Sequence, residues 1–380
     1  LIMIKNKLLI IGSGMFVNGR NSETRGVIIP SIYEFLNNTQ KDFEIYFTYR
    51  SSSGKDHNSK CCDFLNINDL AKVHHIKSDF SPNDIKKIVK KYKIDAAINS
   101  LPDHLHYTTC KILLECGVDI LVVKPFVLSK REAIDLARLQ NEKKVHGQIE
   151  FHKRHDKSNR YLKSEYLKGA IGDILRFDVR YSQNKKLPLN YFKSWRSFSN
   201  VFSYLGVHYV DLIYWITGYL PLKVNAFPSK FYNGKIDFEH SFDVIIEWGL
   251  DGKSFKSNFS INWAEIDSSQ AMSLQYFNVL GTSGRINLDQ TDRGIHHIFE
   301  KKGLKYINPY YIFEETTQDQ IKYSGYGVES VISFLNNITN SKKDYPSFKE
   351  GIISSAVIEA AEQSANLNGQ SVEILIDERI

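Results

Sequence analysis

Short apolar runs alternate with amphipathic stretches through the first part of the chain. Segments 7–11, 43–49, 94–98, 118–123 and 145–151 read as buried strands, too continuous in their hydrophobicity to have one wet face. Between them lie helical patterns. Ser81 caps and Pro82 opens a basic amphipathic helix through Tyr92, a second helix carries Cys110 to Cys116, and Ser129 with Glu132 forms a capping box for a third that reaches about Lys143. From His152 the period changes. After a helix over 158–168, segments 174–182, 222–231, 242–248, 255–263 and 273–280 alternate apolar and polar residues, as in antiparallel strands with one wet face. A helix over 348–366 and a terminal strand close the chain.

This order predicts an α/β protein of two domains. Residues 1–151 form a Rossmann dinucleotide-binding domain, and residues 152–380 an α+β domain with a large, mostly antiparallel open sheet for substrate binding and oligomerisation. Its free face suits a homodimer or homotetramer contact. A length of 380 residues and a 42% hydrophobic, 24% charged composition accord with two globular cores. The excess of 49 basic over 43 acidic residues is spread along the chain, which argues against nucleic acid as a partner. The four cysteines follow no metal or disulfide spacing, so a reduced, cytoplasmic setting is expected. No apolar run is long enough to cross a membrane, and the start, 1–11, broken by Lys5, Asn6 and Lys7, is read as neither signal peptide nor span.

Candidate chemistry falls at the strand ends. Gly12-Ser13-Gly14, followed by Met15 and Phe16, lets the backbone turn tightly and approach a pyrophosphate, although Val17 replaces the third glycine and a polar segment, 18–25, delays the helix to about Gly26. A plain strand turn is the alternative. The second strand ends in Thr48-Tyr49-Arg50-Ser51 with no acid for a ribose 2'-hydroxyl, which favours NADP over NAD, unless this is simply a solvated basic loop. The run 94–98 leads into Ser100, Leu101, Pro102 and Asp103, where Asp103 is placed to cap the next helix, with His104 and His106 in support. The run 118–123 delivers Lys124, fixed against Pro125. Glu150, His152, Lys153 and Arg154 stand at the end of the run 145–151 and just after it, and are candidates to line the pocket. In the second domain, Trp195-Arg196 precedes Tyr204, His208 and Asp211 at helical spacing on one stripe. Asn262, Trp263, Asp289 and Arg293 are candidates for substrate hydroxyls or for sheet stability.

Taken in order, Gly12-Ser13-Gly14, Leu101-Pro102-Asp103 with His106, Val123-Lys124-Pro125, Trp195-Arg196, and Gly206-Val207-His208 with Asp211 resemble the glucose-fructose oxidoreductase, inositol dehydrogenase and MocA family over essentially the whole chain. The resemblance implies a sugar or nucleotide-sugar oxidoreductase using NADP or NAD, with Lys124 and His208 catalytic and Arg196 on the cofactor side. Together with the strand-end readings, the expected cofactor set is Gly12, Ser13, Gly14, Met15, Phe16, Arg50, Ser51, Ser100, Leu101, Pro102, His106, Lys124, Pro125, Trp195 and Arg196. Lys124, Arg154, Tyr204, His208 and Asp211 are the expected substrate contacts, Arg154 from its place after the run 145–151. Two positions depart from the family: Val123 replaces a Glu, and Tyr204 replaces an Asp four residues before the histidine. A phenol there can donate a proton, which tilts the expectation toward keto reduction. The plainer readings are a surface lysine, a core histidine and a packing tyrosine, and the rival from another class is a regulator that binds NADP and a sugar without turnover.

Overall fold

The computed structural model describes residues 6–20, 25–39, 42–192, 195–230, 239–301, 303–318, 320–339 and 344–376. Part of the polar segment 18–25, as well as Lys193 and Ser194, lies outside them.

Strand β1 (Lys7–Ile11) leads through the glycine turn into a single helical turn, α1 (Met15–Asn18), and then into α2 (Ile28–Thr39). Next come β2 (Glu44–Tyr49), α3 (Ser52–Phe64), α4 (Ile67–Leu70), β3 (Lys72–Lys77) and α5 (Pro82–Tyr92). Strand β4 (Ala96–Asn99), α6 (His106–Glu115), β5 (Asp119–Val123), α7 (Lys130–Lys143) and β6 (Gly147–Glu150) complete the alternation. The second half begins with α8 (Lys157–Leu167), β7 (Ile174–Asn184) and α9 (Val207–Thr217). Long strands β8 (Leu220–Ser229), β9 (Ser241–Leu250), β10 (Lys253–Glu265) and β11 (Ser273–Gly281) follow, then β12 (Arg285–Asp289) and the hairpin of β13 (His296–Phe299) and β14 (Gly303–Tyr306). A hairpin of β15 (Phe313–Thr316) and β16 (Ile321–Ser324) precedes α10 (Tyr326–Thr339), α11 (Phe348–Asn366) and β17 (Val372–Glu373).

In the described residues, β1 to β6 form a parallel sheet in the order β3-β2-β1-β4-β5-β6. Its strand order reverses between β1 and β4, the position where such sheets bind ligands beyond their carboxyl ends. The central strands are apolar throughout because helices cover both faces, and Leu9, Ile10 and Ile11 are fully buried. Ser81 caps α5 by accepting from the Asp84 N–H, with Pro82 at the first helical position. The second sheet runs β12-β11-β7-β10-β9-β8-β17 and is antiparallel except where β10 meets β7. Along β10, Phe255, Ser257, Phe259, Ile261 and Trp263 turn inward. The buried Trp248 indole donates to Ser257 Oγ over 2.7 Å, so no polar atom of the indole is stranded there.

The chain divides into two compact units, and the division is not the linear one expected. The first comprises 1–127, 131–155 and 310–351; the second comprises 128–130, 156–309 and 352–380. A boundary at 151 omits the return over 310–351. The reason is packing: α10 lies on α2, and Val328, Val331, Phe334 and Leu335 enter the same core as Ile28, Ile32 and Phe35. The Ile149 N–H also donates to the Pro346 carbonyl.

Three local expectations change. Asp103 does not cap α6, because a short 3-10 turn, Asp103–Leu105, comes first and Leu105 occupies the cap without a side-chain bond. The basic loop after β2 is instead the start of α3, capped by Ser51, whose Oγ accepts from the Gly54 N–H. The helix after the glycine loop is broken, since Gly19 ends α1 in the left-handed region. Gly26 also adopts positive φ, where a Cβ would meet the Asn18 and Gly19 nitrogens at 2.6 Å.

Candidate active site

The first unit gathers the predicted dinucleotide residues at the carboxyl edge of its sheet. Gly12 has φ +108°, and a Cβ there would meet the Ser100 carbonyl oxygen at 2.8 Å, so the loops after β1 and β4 approach as closely as they do only because position 12 has no side chain. At Gly14 a Cβ would meet nothing within 4 Å, leaving bare backbone facing open space. The Gly12 N–H donates to Thr48 Oγ1 over 3.1 Å, and that hydroxyl donates on to the Ile10 carbonyl, tying β1 to β2. The backbone of Gly54 in α3 packs against the Ser13 side chain. These features fit a dinucleotide. Arg50 is exposed at the end of β2; its guanidinium donates to the Asp79 carbonyl over 2.7 Å and lies 5.3 Å from the Phe80 ring centre.

His106 has a different place from the cofactor contact expected of it. It is fully buried, with Nδ1 2.8 Å from the Pro125 carbonyl oxygen and Nε2 2.8 Å from that of Leu101. Its ring braces the loops after β4 and β5 against each other. Asn99 assists from below, its Oδ1 accepting from the Leu101 N–H.

Lys124 stands at the end of β5, before Pro125, and the peptide between them is cis. Burial lowers its ammonium to about 8, while the nearby carboxyl groups of Asp103 and Glu150 oppose that fall. Asp103 is thus a buried electrostatic neighbour of the lysine. Glu150 is also buried, both of its oxygens reached by His152 Nδ1 at 3.0 and 2.8 Å. Arg154, expected at the substrate, is committed to an ion pair with Glu350 at 2.9 Å, with its side chain 5% exposed. Glu350 in turn forms a capping box with Ser347 at the start of α11.

In the second unit Tyr204 lies in a π-helical turn, Phe202–Gly206, directly before α9. The widened turn takes it off the α-helical stripe predicted with His208 and Asp211. Its ring packs instead among Phe192, Trp195 and Trp263, with centroids 5.0, 5.6 and 5.7 Å away. His208 and Asp211 are buried on α9, the imidazole 6.5 Å from the Tyr181 ring. Arg196 donates to the Pro188 carbonyl over 2.9 Å and lines a cavity of about 490 Å³ with Leu128, Asn200, Ser203, Lys230 and Glu362. Arg293, considered for substrate hydroxyls, pairs with Asp156 at 2.6 Å. Asn262 accepts from Ser182 Oγ across β10 and β7. Among the described residues no three His, Cys, Asp or Glu side chains gather as for a metal ion, and no helix is long and apolar enough to cross a membrane.

A parallel sheet with its glycine turn at the switch point, followed by a unit built on an open mixed sheet, defines a two-unit protein of the nicotinamide-dinucleotide-binding class. The family profiles agree. Residues 26–151 match the NAD-binding Rossmann domain of the Gfo/Idh/MocA oxidoreductases, and residues 164–374 match the C-terminal alpha/beta domain of the same family. The chain belongs to that family. Among curated proteins it is 24% identical over 143 residues to the rhizopine catabolism protein MocA of Rhizobium meliloti, covering 38% of this chain and 44% of that one. It is 23% identical over 230 residues to a 2,7-anhydro-N-acetylneuraminate hydratase of Mediterraneibacter gnavus, covering 56% and 55%. The matched stretches therefore span about half of those relatives. Among solved structures, scyllo-inositol dehydrogenase of Lactobacillus casei with bound NAD(H) and scyllo-inositol superposes with a TM-score of 0.72 at 17% identity, over 97% of this chain and 99% of that one. Myo-inositol 2-dehydrogenase of Lactobacillus plantarum gives 0.72 at 18%, over 97% and 99%. At such identities the likeness is one of fold.

Proposed function

We propose that the protein is an NAD(P)-dependent dehydrogenase or ketoreductase that interconverts hydroxyl and keto groups on a sugar, polyol or nucleotide-sugar, with Lys124 as the proton-transfer group. The observation that carries this reading is the environment of Lys124: an ammonium lowered by burial to about 8, flanked by Asp103 and Glu150, at the carboxyl edge of the dinucleotide-binding sheet. A lysine near 8 takes a proton from a substrate hydroxyl when neutral and returns it when charged, a service worth roughly a hundredfold to ten-thousandfold in rate.

The nicotinamide, when bound, supplies or accepts the hydride. The backbone of Gly12 to Gly14 and the loop Ser100 to Pro102 hold the dinucleotide, with Met15, Phe16 and Ser51 beside them. NADP(H) is favoured because β2 ends in Tyr49-Arg50-Ser51 without a carboxylate. NAD(H), bound in the Lactobacillus casei structure, is the alternative. From the second unit His208 is proposed as the second proton-handling group and Asp211 as a substrate contact. Trp195 and Arg196 belong to the cofactor side, as in the family. Tyr204 is proposed as a further substrate contact, its aromatic packing supporting a shaping role better than proton donation.

A regulator that binds the same molecules without turnover has no use for a lysine tuned toward neutrality. Absorbance assays with NADPH and NADH against inositols, ketosugars and nucleotide-sugars separate the two readings. Turnover is expected in the wild type and is lost in Lys124→Ala while dinucleotide binding, followed by nicotinamide fluorescence, persists. Undiminished turnover in Lys124→Ala overturns the assignment.

A further inference from the structure

The residue that precedes Lys124 on β5 is the uncharged Val123. The adjacent strand, β6, ends in a carboxylate. In the parallel ladder Val123 is registered against Glu150, so the two backbones lie one strand spacing, about 5 Å, apart and Glu150 sits next to the strand end that carries Lys124. Glu150 is 1% exposed, and a carboxylate this deep is costly unless it is hydrogen-bonded or paired. Its hydrogen bonds come from His152 Nδ1, at 2.8 and 3.0 Å. That imidazole is itself held, stacked on Tyr326 of α10 at 5.7 Å and tilted against Tyr311 at 5.3 Å. A ring clamped in this way has little rotational freedom, so the carboxylate it holds is aimed.

Two carboxyl groups from different elements raise the proton affinity of Lys124: Asp103 from the turn after β4, and Glu150 from β6. Asp103 lies in a short turn next to His104. Glu150 is backed by a fixed imidazole across two hydrogen bonds.

We propose that Glu150, anchored by His152, is a positioning carboxylate for Lys124: it orients the ammonium and holds the lysine's proton affinity in the range where it can both give and take a proton. The inference rests on the reading of Lys124 as the proton-transfer group. Without Glu150, burial would act on the lysine with one opposing carboxylate fewer.

The test is a titration of Lys124 in the protein without cofactor or substrate, by NMR of lysine labelled with nitrogen-15 at Nζ, the signal assigned by its loss in Lys124→Arg. Glu150→Gln is isosteric and keeps an acceptor for His152. The expected result is a Lys124 midpoint lower by about one pH unit or more, the effect of removing an opposite charge at this range, with the rising limb of kcat/KM for alcohol oxidation displaced to lower pH by the same amount. Glu150→Asp, which retains the charge but withdraws it, is expected to give a smaller displacement in the same direction and serves if the glutamine protein fails to fold. A midpoint that does not move in the folded variant overturns the proposal, since a merely structural carboxylate would lower the melting temperature and leave Lys124 where it was. Because the titration needs no turnover, a protein without dehydrogenase activity whose Lys124 still responds to position 150 would count against the functional reading alone.

Discussion

The Nδ1 of His106 lies 2.8 Å from the carbonyl oxygen of Pro125, so the residue that follows the candidate catalytic lysine is held by the first residue of α6. The other ring nitrogen holds Leu101, in the loop whose Ser100 abuts Gly12. One side chain thus connects the dinucleotide loop with the lysine.

Replacing it should therefore act on both. His106→Phe fills the volume but removes the ring N–H, leaving a buried carbonyl oxygen without its donor, at a cost of roughly 1–3 kcal/mol for such a group. The expected outcome is a lower denaturation midpoint by urea, and a fall in kcat larger than the change in KM for the dinucleotide. A variant with wild-type stability would show that the two contacts contribute nothing.

Lys124 should be a residue that costs stability. Its folded-state value, about 8, lies below the ordinary 10.5, so between those values the unfolded chain binds more protons and stability rises with pH. Below about 8 the whole penalty is felt, up to roughly 3 kcal/mol by linkage. Lys124→Met is expected to be inactive yet more stable near neutral pH, with the gain shrinking as the pH rises toward about 10. Urea midpoints of both proteins across that range check the sign.

Asp156 accepts from the Ser158 N–H at the start of α8 and meets Arg293 at 2.6 Å, with side chains 1% and 8% exposed. Removing one member of such a pair leaves a buried charge uncompensated, typically worth about 3–5 kcal/mol. Arg293→Met should lower thermal stability more than substitution of the exposed Arg176, and the double variant Asp156→Asn with Arg293→Met should lose less than the sum of the single changes.

Arg50 provides the check on cofactor choice. If its guanidinium serves a 2'-phosphate, Arg50→Ala lowers kcat/KM for NADPH by about tenfold to a hundredfold, the worth of one charge-assisted hydrogen bond, and leaves NADH use nearly unchanged. Equal losses with both dinucleotides would assign Arg50 to the bond with the Asp79 carbonyl and no more.

Much of this arrangement can be read in the amino acids, for identifiable reasons. Strands β1, β2, β4 and β5 are mostly apolar, and α5 carries its cap and proline, so local chemistry and tertiary placement coincide. Lys124 is legible because it follows such a strand and precedes proline. Strand β3 is not, since Lys72-Val73-His74-His75-Ile76-Lys77 lies at the sheet edge with half its positions exposed and no apolar period. Helix α3 is polar along most of its length and resembles a loop until Ser51 and Gly54 are seen at its start. The tasks of His106 and Glu150 depend on partners 19 and 2 residues away through bonds whose direction no spacing rule encodes. The π-helical turn at Phe202–Gly206 displaces Tyr204 from a stripe drawn with an α-helical period.

The return of residues 310–351 to the first unit has a bearing on biosynthesis. When residue 151 leaves the ribosome, the parallel sheet has all its strands, yet the α2 surface that receives Val331, Phe334 and Leu335 is still uncovered. That surface gains its cover only once α10, Tyr326–Thr339, has been translated.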